Sequence, residues 1–429
     1  MKIKIAKTIL SLQALFTVPV YFSVLTSHPV LWFSMLIAVL PLGVRFWYTR
    51  HIIKLTLFDI PILIFVCAML LGLIVSPDKG LAIGTLCSAI ASILVYYGIT
   101  DNSGSSRKYW FWTTGIISAI TLLLSLWFLS QGQHRVLSFN YWAFNLLAGL
   151  PKSSGPILNL NTIGALLAVV VPPLWVIVFL KNNIIVRIIV ITLCLFLTGV
   201  LFISDSGAGW LAVIVSMTFI VIYWQKWLVW VLIPLEGLLM GTAALFYNKL
   251  EWLRTTFSTS SFMSRITLWR NTLALLKGKT VVLGLGPGAW LGVYSKHYPT
   301  TVAIVHNSYL QLYCDAGILG FVAMVWAAVI FIRFSIKLLK SPRRNSGKWI
   351  GIGLIGSIIA GAVYAMFDTT HSITYVIDNG YIYLVLPLLW IGAALVSVIN
   401  DKLSMSENRK PHKGKPVIYP SDKVKNDNI

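Results

Sequence analysis

The side chains best suited to chemistry in this chain lie in one polar stretch, residues 247–317, which contains Arg265, Arg270 and His306. Arginine offers a planar set of N–H donors that binds phosphate oxygens and neutralises the charge of a departing phosphate group. Histidine changes its protonation near neutral pH, so it can accept the proton of an attacking hydroxyl. A diphosphate leaving group needs no proton donor. The combination therefore fits transfer of a group from a diphosphate to an alcohol.

Further basic residues lie in segments that the distribution of charge predicts on the same side of a membrane: Lys79, Arg135, Lys152, Lys249, Arg254, Lys277, Lys279, Lys296 and His297. Two interpretations of these charges stay open. They bind the phosphates of a substrate, or they are loop charges that contact lipid headgroups. The second interpretation is favoured for most of them, Lys277 and Lys279 in particular.

Acidic residues on that side are scattered along the chain: Asp78, Asp205, Glu251, Asp315, Asp368 and Asp378. They form no DxD pair, and no His-x-x-x-His spacing accompanies them. A metal-dependent transferase or a hydrolase with two catalytic carboxylates requires closely spaced acids, so both classes are disfavoured and no metal or cofactor is predicted. Contacts in the folded chain could still bring two distant acids together.

His306 and Asn307 precede a predicted short helix. Ser308 followed by Gln311 matches a capping box, which predicts a helix over residues 309–316 that stops at a glycine. The pair would then stand ahead of the positive end of that helix. By composition alone, His306 could equally be a helix-start histidine satisfied by the backbone. Asn307 is predicted to hold His306 or the turn in place.

A second helix is predicted from Arg265 to about Leu276, capped by Ser264 and ended by Gly278. One side of it would carry four apolar residues: Ile266, Trp269, Leu273 and Leu276. The segment that follows predicts a compact turn rather than regular structure, because it contains a proline and the three glycines Gly284, Gly286 and Gly288.

The elements that must position these residues are membrane helices. Hydrophobic residues make up 57% of the 429 and charged residues only 11%, against roughly a quarter charged in a soluble domain. Strand-like alternation is missing, so the predicted fold is all-α and polytopic. The apolar runs predict about twelve transmembrane helices, at 8–27, 29–48, 58–76, 80–99, 109–131, 160–180, 184–203, 207–224, 227–246, 318–336, 350–367 and 379–399.

The positive charges orient these helices. With a cytoplasmic N-terminus, most of the 34 Lys and Arg fall in inside segments, whereas the short outside loops hold only Lys79, Arg135 and Lys152. Both termini are therefore predicted in the cytoplasm. The net charge of +21 is explained in this way without nucleic acid binding.

The chain divides into four predicted parts. Residues 1–246 hold the first nine helices and a short outer loop at 132–159, and residues 318–399 hold the last three helices. Between them, residues 247–317 form one large, partly helical periplasmic loop, which is the predicted catalytic part. Residues 400–429 form a basic cytoplasmic tail that is predicted to be disordered. Asp59 and Glu236, within or beside spans, are interpreted as paired interior or edge acids rather than functional ones.

Three motifs follow one another on the large loop: SRITLW at 264–269, GLGPG at 284–288 and HNSYLQLYCDAGILG at 306–320. This order, before the last three helices, resembles the O-antigen ligase and O-antigen polymerase superfamily. The segment GPILNLNTIGALLAVVVPPL at 155–174 also resembles a family segment, with Asn161 at the position of the family's asparagine. The resemblance covers about residues 75–395.

The resemblance implies that Arg265 and His306 act in a periplasmic active site, while Lys79 and Arg135 correspond to family residues only by loop and order. Further substrate-binding candidates are Asn307, Arg270 and Asn161. One departure is the segment SDSGAGW at 204–210, which lacks the arginine of the family's Ser-Arg-Gly. Either another cation, such as Arg135 or Arg270, supplies that contact, or the donor is bound differently.

The sequence thus predicts an inner-membrane glycosyltransferase of the O-antigen ligase type. The resemblance implies a glycan donor on undecaprenyl diphosphate and an acceptor that is a lipid A core sugar in ligases or another glycan in polymerases. Direct attack by the acceptor predicts inversion at the sugar carbon. A polymerase that uses the same donor stays open as an alternative. A transporter or flippase of lipid-linked sugar stays open too, although inverted repeats and mid-membrane charges are hardly present.

Overall fold

The computed structural model describes residues 31–53, 55–101, 160–179, 183–204, 206–246, 259–299, 304–340 and 346–368, with isolated positions in residues 9–19 and 118–129. Within these ranges the chain consists of helices and loops and contains no strand, which confirms the predicted all-α class. The helices are α1 (Leu31–Thr49), α2 (Asp59–Val75), α3 (Lys79–Asp101), α4 (Leu160–Phe179), α5 (Ile184–Ile203), α6 (Gly207–Trp224), α7 (Val229–Phe246), α8 (Thr259–Leu275), α9 (Lys279–Leu283), α10 (Trp290–Tyr294), α11 (Ser308–Lys340) and α12 (Ser346–Phe367).

Helices α1 to α7, the second part of α11 and α12 each coincide with a predicted span. Five stretches in the described part of the chain are long and apolar enough to cross a membrane: Trp32–Thr49, Lys79–Gly98, Ile184–Ile203, Gly207–Trp224 and Ser308–Lys337. The spans predicted at 8–27, 109–131 and 379–399 lie wholly or mostly outside the described residues, as do the loop at 132–159 and the tail from residue 400. The number of twelve spans therefore stays a prediction.

Helix α4 lies at the centre of one group of helices. Residues 163–171 are all buried, because α5, α6 and α12 pack around them. Helix α12 comes close through small polar side chains: the Ser357 hydroxyl donates to the carbonyl of Val169 (2.6 Å), and the Ser216 hydroxyl of α6 donates to the carbonyl of Gly356 (2.7 Å). Small residues at helix interfaces allow this close approach in membrane proteins.

A second group consists of α2, α3 and α11, with α1 packed on α3. Asp59, in the first turn of α2, accepts hydrogen bonds from the backbone N–H of Thr56 (2.7 Å) and the hydroxyl of Tyr97 (2.8 Å). Asp59 is thus held by hydrogen bonds from neutral groups at the start of α2. The side chain of Glu236 lies outside the described part of the chain.

Helix α11 is interrupted at Gly317, which has a left-handed φ of 62° and a ψ of −165°. The interruption separates a short helix, residues 308–316, from the apolar stretch that follows. Both parts agree with the predicted helix over 309–316 and the predicted span over 318–336. A side chain at Gly317 would collide with the carbonyl oxygen of Val282, so only glycine fits there.

Candidate functional site

Arg265 and His306 converge on the end of α12, at its last residue Phe367 and at Asp368, which follows directly; we call these two residues the α12 corner. Nη1 of Arg265 donates to the carbonyl oxygen of Phe367 at 2.7 Å, and Nδ1 of His306 lies 3.1 Å from Oδ1 of Asp368. Two residues from distant parts of the loop thus contact neighbouring residues of one helix end. The structure brings the two predicted catalytic residues to the same place.

Three consecutive residues attach the His306 segment to the α12 corner. After His306 itself, Asn307 donates through Nδ2 to the carbonyl of Met366 (3.1 Å), and Ser308 donates to the carbonyl of Asp368 through both its backbone N–H (3.1 Å) and its hydroxyl (2.9 Å). These bonds hold His306 in a left-handed conformation, φ 53°, which is uncommon for a residue with a side chain. Such strained residues persist where their surroundings fix them, often at functional sites.

The predicted capping box is wrong, because Asn307 and not Ser308 is the cap. The side-chain oxygen of Asn307 accepts from the N–H of Leu310 (2.9 Å), and its carbonyl accepts from the N–H of Gln311 (2.9 Å). The Ser308 hydroxyl donates instead to the carbonyl of Asp368, because a carbonyl at the end of a helix has no donor within the helix. Gln311 donates to Asp315 instead of reaching back to the cap. His306 therefore stands immediately before the N-cap residue.

Asp368 gives His306 its orientation. Its side chain is only 4% exposed, and Oδ2 lies 3.3 Å from the hydroxyl of Tyr364 while Oδ1 faces the imidazole. An ionised carboxylate only accepts hydrogen bonds, so it pairs with the imidazole tautomer that has its proton on Nδ1 and keeps the lone pair on Nε2. The imidazole is 22% exposed, which leaves part of it open to a ligand. This arrangement is that of a base held by a carboxylate.

Tyr364 joins the α12 corner to the beginnings of α4 and α6. Its buried hydroxyl lies 2.6 Å from the carbonyl oxygen of Asn161, in the first turn of α4, and forms a hydrogen bond with the side chain of Ser206. Ser206 belongs to the segment 204–210 that lacks the family arginine, so a neutral, buried hydroxyl stands close to the corner there. Asn161, predicted from the resemblance, thus contacts Tyr364, which in turn lies against the carboxylate of Asp368 that faces His306.

Helix α8 positions Arg265 and supports the His306 segment. Trp269, one turn after Arg265 and on the same side, donates through Nε1 to the carbonyl of Val305 at 3.0 Å. Further along α8, the buried hydroxyl of Thr272 accepts from Nε1 of Trp290 at 3.1 Å. These two indole bonds fix which face of α8 is turned to the protein.

One expectation for α8 is wrong. The helix begins at Thr259, so Ser264 lies within it rather than capping it; serine is a weak helix former but does not end a helix. The packed face contains Leu268, Thr272 and Leu276, whereas Ile266 and Leu273 are exposed. Apolar residues occur on both sides of this helix, so their spacing could not decide which side is buried.

The three glycines of the turn all have positive φ: 73° at Gly284, 103° at Gly286 and 69° at Gly288. The N–H of Leu285 donates to the carbonyl of Cys314 (2.6 Å), and the N–H of Gly288 donates to Oδ1 of Asp315 (3.0 Å). The turn therefore fastens the loop to the short helix that follows His306.

The remaining predicted cations lie elsewhere. Nζ of Lys79 donates to the carbonyls of Leu73 and Ile74 (2.7 and 2.6 Å), so it caps the end of α2. Arg270 is exposed on the face of α8 opposite to the packed one. Arg135 lies outside the described residues. Of the predicted site residues that the structure describes, Arg265 and His306 thus contact the α12 corner, while Asn307 contacts Met366 and Asn161 contacts Tyr364 in the preceding turn.

Sequence reasoning had noted Asp368 only as one of several scattered acids, and it missed Tyr364. Their spacing of four residues at the end of an apolar helix puts both side chains on one face, which is a signal that could have been used. Within the described residues, no three His, Cys, Asp or Glu side chains come together as a metal-binding group.

These features define a helical membrane protein with an arginine, a histidine and a carboxylate at one end of its helices. The family model described as O-antigen ligase matches residues 192–325. The resemblance to this superfamily is thereby confirmed for that segment, which includes Arg265, His306 and the glycine turn but neither Asn161 nor Asp368. A search among curated proteins finds no match to the chain.

Proposed function

We propose that the protein is a glycosyltransferase of the O-antigen ligase type, which moves a glycan from undecaprenyl diphosphate to an acceptor hydroxyl on the periplasmic side of the inner membrane. The observation that carries this proposal is the convergence of Arg265 and His306 on the α12 corner. The family match to residues 192–325 supports a glycan-transferring enzyme. Donor, acceptor and membrane side come from the resemblance and from the distribution of charge.

In this proposal His306 is the general base. Nε2 takes the proton of the acceptor hydroxyl while the oxygen attacks the anomeric carbon, and the bond from that carbon to the diphosphate oxygen breaks. Asp368 stabilises the imidazolium that forms, because its carboxylate faces Nδ1 at 3.1 Å. A single displacement of this kind inverts the configuration of the sugar carbon.

Arg265 binds the departing diphosphate. Its bond to the carbonyl of Phe367 uses one of the five N–H donors of the guanidinium and anchors Nη1. Donors held in place before the reaction stabilise charge as it develops, without reorganisation at that moment. The leaving group is already weakly basic and needs no proton.

The test uses the full chain in proteoliposomes with undecaprenyl-diphosphate glycan and, in separate reactions, lipid A core or lipid-linked glycan as acceptor. His306→Ala should lower the transfer rate by ~10²- to 10⁴-fold, the usual contribution of a general base. Arg265→Ala should lower it by ~10²- to 10³-fold, as expected for an electrostatic donor. Product with lipid A core identifies a ligase, and lengthening of the lipid-linked glycan identifies a polymerase.

His297→Ala and Arg270→Ala are the matched controls, because His297 is an exposed histidine of the same loop and Arg270 is an exposed arginine of the same helix. Wild-type rates in His306→Ala or Arg265→Ala would refute the assignment of these residues. Absence of product with either acceptor would refute the transferase and favour the lipid-linked sugar transporter.

A further inference from the structure

Helix α8 carries an exposed face that the proposed reaction does not use. Met263, Ile266, Arg270 and Leu273 follow one another at spacings of three and four residues, so they form one stripe along the helix. All four side chains are exposed, Met263 by 60% and Leu273 by 53%. The opposite face packs on α10 and on the His306 segment. We call these four residues the α8 stripe.

The segment that contains the α8 stripe carries positive charges and no negative ones. Residues 259–299 contain no Asp or Glu, and their cations are Arg265, Arg270, Lys277, Lys279 and Lys296. Lys277 and Lys279 follow the end of α8 at Leu275, and both are exposed. A soluble surface rarely combines exposed apolar side chains with cations and no acid. Helices that lie in the headgroup layer of an anionic membrane combine apolar side chains with Lys and Arg on the face turned to the lipid, as the exposed face of α8 does.

The position of α8 relative to the spans agrees with such a placement. Arg265 donates to the carbonyl of Phe367, and the apolar stretch of α12, Gly351–Phe367, ends at that same residue. The bond therefore fixes the Arg265 turn of α8 beside the residue at which this apolar helix ends. At this level the α8 stripe is within reach of lipid headgroups.

We infer that α8 is an interfacial helix that binds the anionic phospholipid surface of the membrane in which the protein resides. Met263, Ile266 and Leu273 insert at the boundary between headgroups and acyl chains, and Arg270 and Lys277 bind lipid phosphates. The opposite face of the same helix meanwhile holds Arg265 at the α12 corner. This inference is independent of the proposed glycan transfer, and it removes Arg270 from the candidates for diphosphate binding.

The test places an environment-sensitive fluorophore on Leu273→Cys in the full chain. Cys67 is exchanged for Ala first, because it is exposed while Cys87, Cys194 and Cys314 are buried. The labelled protein is reconstituted into vesicles of phosphatidylcholine alone or with an equal amount of phosphatidylglycerol, each containing a nitroxide-labelled lipid as quencher. Gly292→Cys is the matched control position, since it is exposed on α10 with open space around it.

The label at position 273 should be quenched more strongly than the label at position 292. Phosphatidylglycerol should increase the association of position 273 with the bilayer by about fivefold per cation, the equivalent of about 1 kcal/mol. In ~1 M salt, where the Debye length falls to ~3 Å, that increase should shrink. Arg270→Glu combined with Lys277→Glu should abolish the increase, and Lys296→Glu should retain it.

Equal quenching at 273 and 292, or quenching at 273 that does not respond to phosphatidylglycerol, would overturn the inference. A label shielded from both lipid-borne and aqueous quenchers would overturn it as well, because a protein surface would then cover the α8 stripe. None of these quenching measurements depends on glycan transfer. A failure of this inference can therefore be told apart from a failure of the proposed function.

Discussion

His306 owes its properties to a carboxylate that lies 62 positions later in the chain. Residues 306–308 are fastened to the end of α12, and the backbone of His306 is left-handed, which directs the imidazole towards Asp368. The orientation of the imidazole thus depends on a tertiary contact. Without that contact, His306 would be a histidine at the start of a helix.

The variant Asp368→Asn tests this dependence. The amide keeps the size of the side chain but loses the negative charge that stabilises the imidazolium, so kcat should fall by about 10²-fold or more. KM should change little if the residue acts through His306 rather than on the substrate. Steady-state kinetics in proteoliposomes separate the two constants.

Asp78→Asn is the control for this variant, because Asp78 is an exposed acid whose Oδ1 accepts only a local bond from the N–H of Leu81. It should leave kcat near the wild-type value. If Asp368→Asn behaved in the same way, the carboxylate would have no part in the activity of His306.

At the scale of elements, the glycine turn and the interruption of α11 form one interlocked unit. Gly284 has no room for a side chain beside the carbonyl of Cys314, and Gly317 has none beside the carbonyl of Val282. The backbones of the glycine turn and of the interruption in α11 approach each other so closely that a Cβ at either glycine would collide. Both glycines also have positive φ, which side chains disfavour. This unit sets where the short helix behind His306 ends.

Gly317→Ala should therefore destabilise the protein by more than ~2 kcal/mol, since alanine adds both the cost of left-handed φ and a collision. Thermal unfolding in detergent measures the loss. Gly292→Ala, in α10 with nothing within 4 Å of the added Cβ, should leave the unfolding temperature unchanged. An unchanged temperature in Gly317→Ala would show that the interruption of α11 is not needed.

At the scale of the whole molecule, the site depends on how α12 sits between α4 and α6. Five helix ends meet at the loop and the last turn of α12: the end of α2, the starts of α3, α4 and α6, and the end of α12 itself. The topology predicted from the positive charges assigns these five helix ends to one side of the membrane. Packing between helices therefore decides whether the residues of the site meet.

Ser357→Leu tests the packing of α12 on α4. The Ser357 hydroxyl is buried and lies 2.6 Å from the carbonyl of Val169, so a larger side chain must push the two helices apart. Overpacking of this kind costs about 1–3 kcal/mol. The unfolding temperature should fall, and glycan transfer should fall with it because Tyr364 loses its alignment with Asn161.

The matched variant Ala328→Leu adds the same side chain at an exposed position of α11. It should affect neither the unfolding temperature nor transfer. Loss of transfer in Ala328→Leu to the same extent as in Ser357→Leu would contradict a specific role for the contact between α4 and α12.

The sequence by itself determined the helical class, the positions of most described helices and the stop at Gly317, because apolar run length and glycine conformation are local properties. It also determined the chemical types at the site, since Arg265 and His306 stood out in a loop rich in cations. The resemblance added Asn161, which the structure places beside Tyr364.

Only the tertiary structure decided which partner each of these residues has. The capping box at Ser308 was locally plausible, but the carbonyl of Asp368 competes for the same hydroxyl from 60 positions away. The buried face of α8 was equally undetermined, because both of its faces carry apolar residues and the indole bonds of Trp269 and Trp290 make the choice. Asp368 became the partner of His306 for the same reason: hydrogen bonds between distant segments form only when helix packing brings their donors and acceptors together.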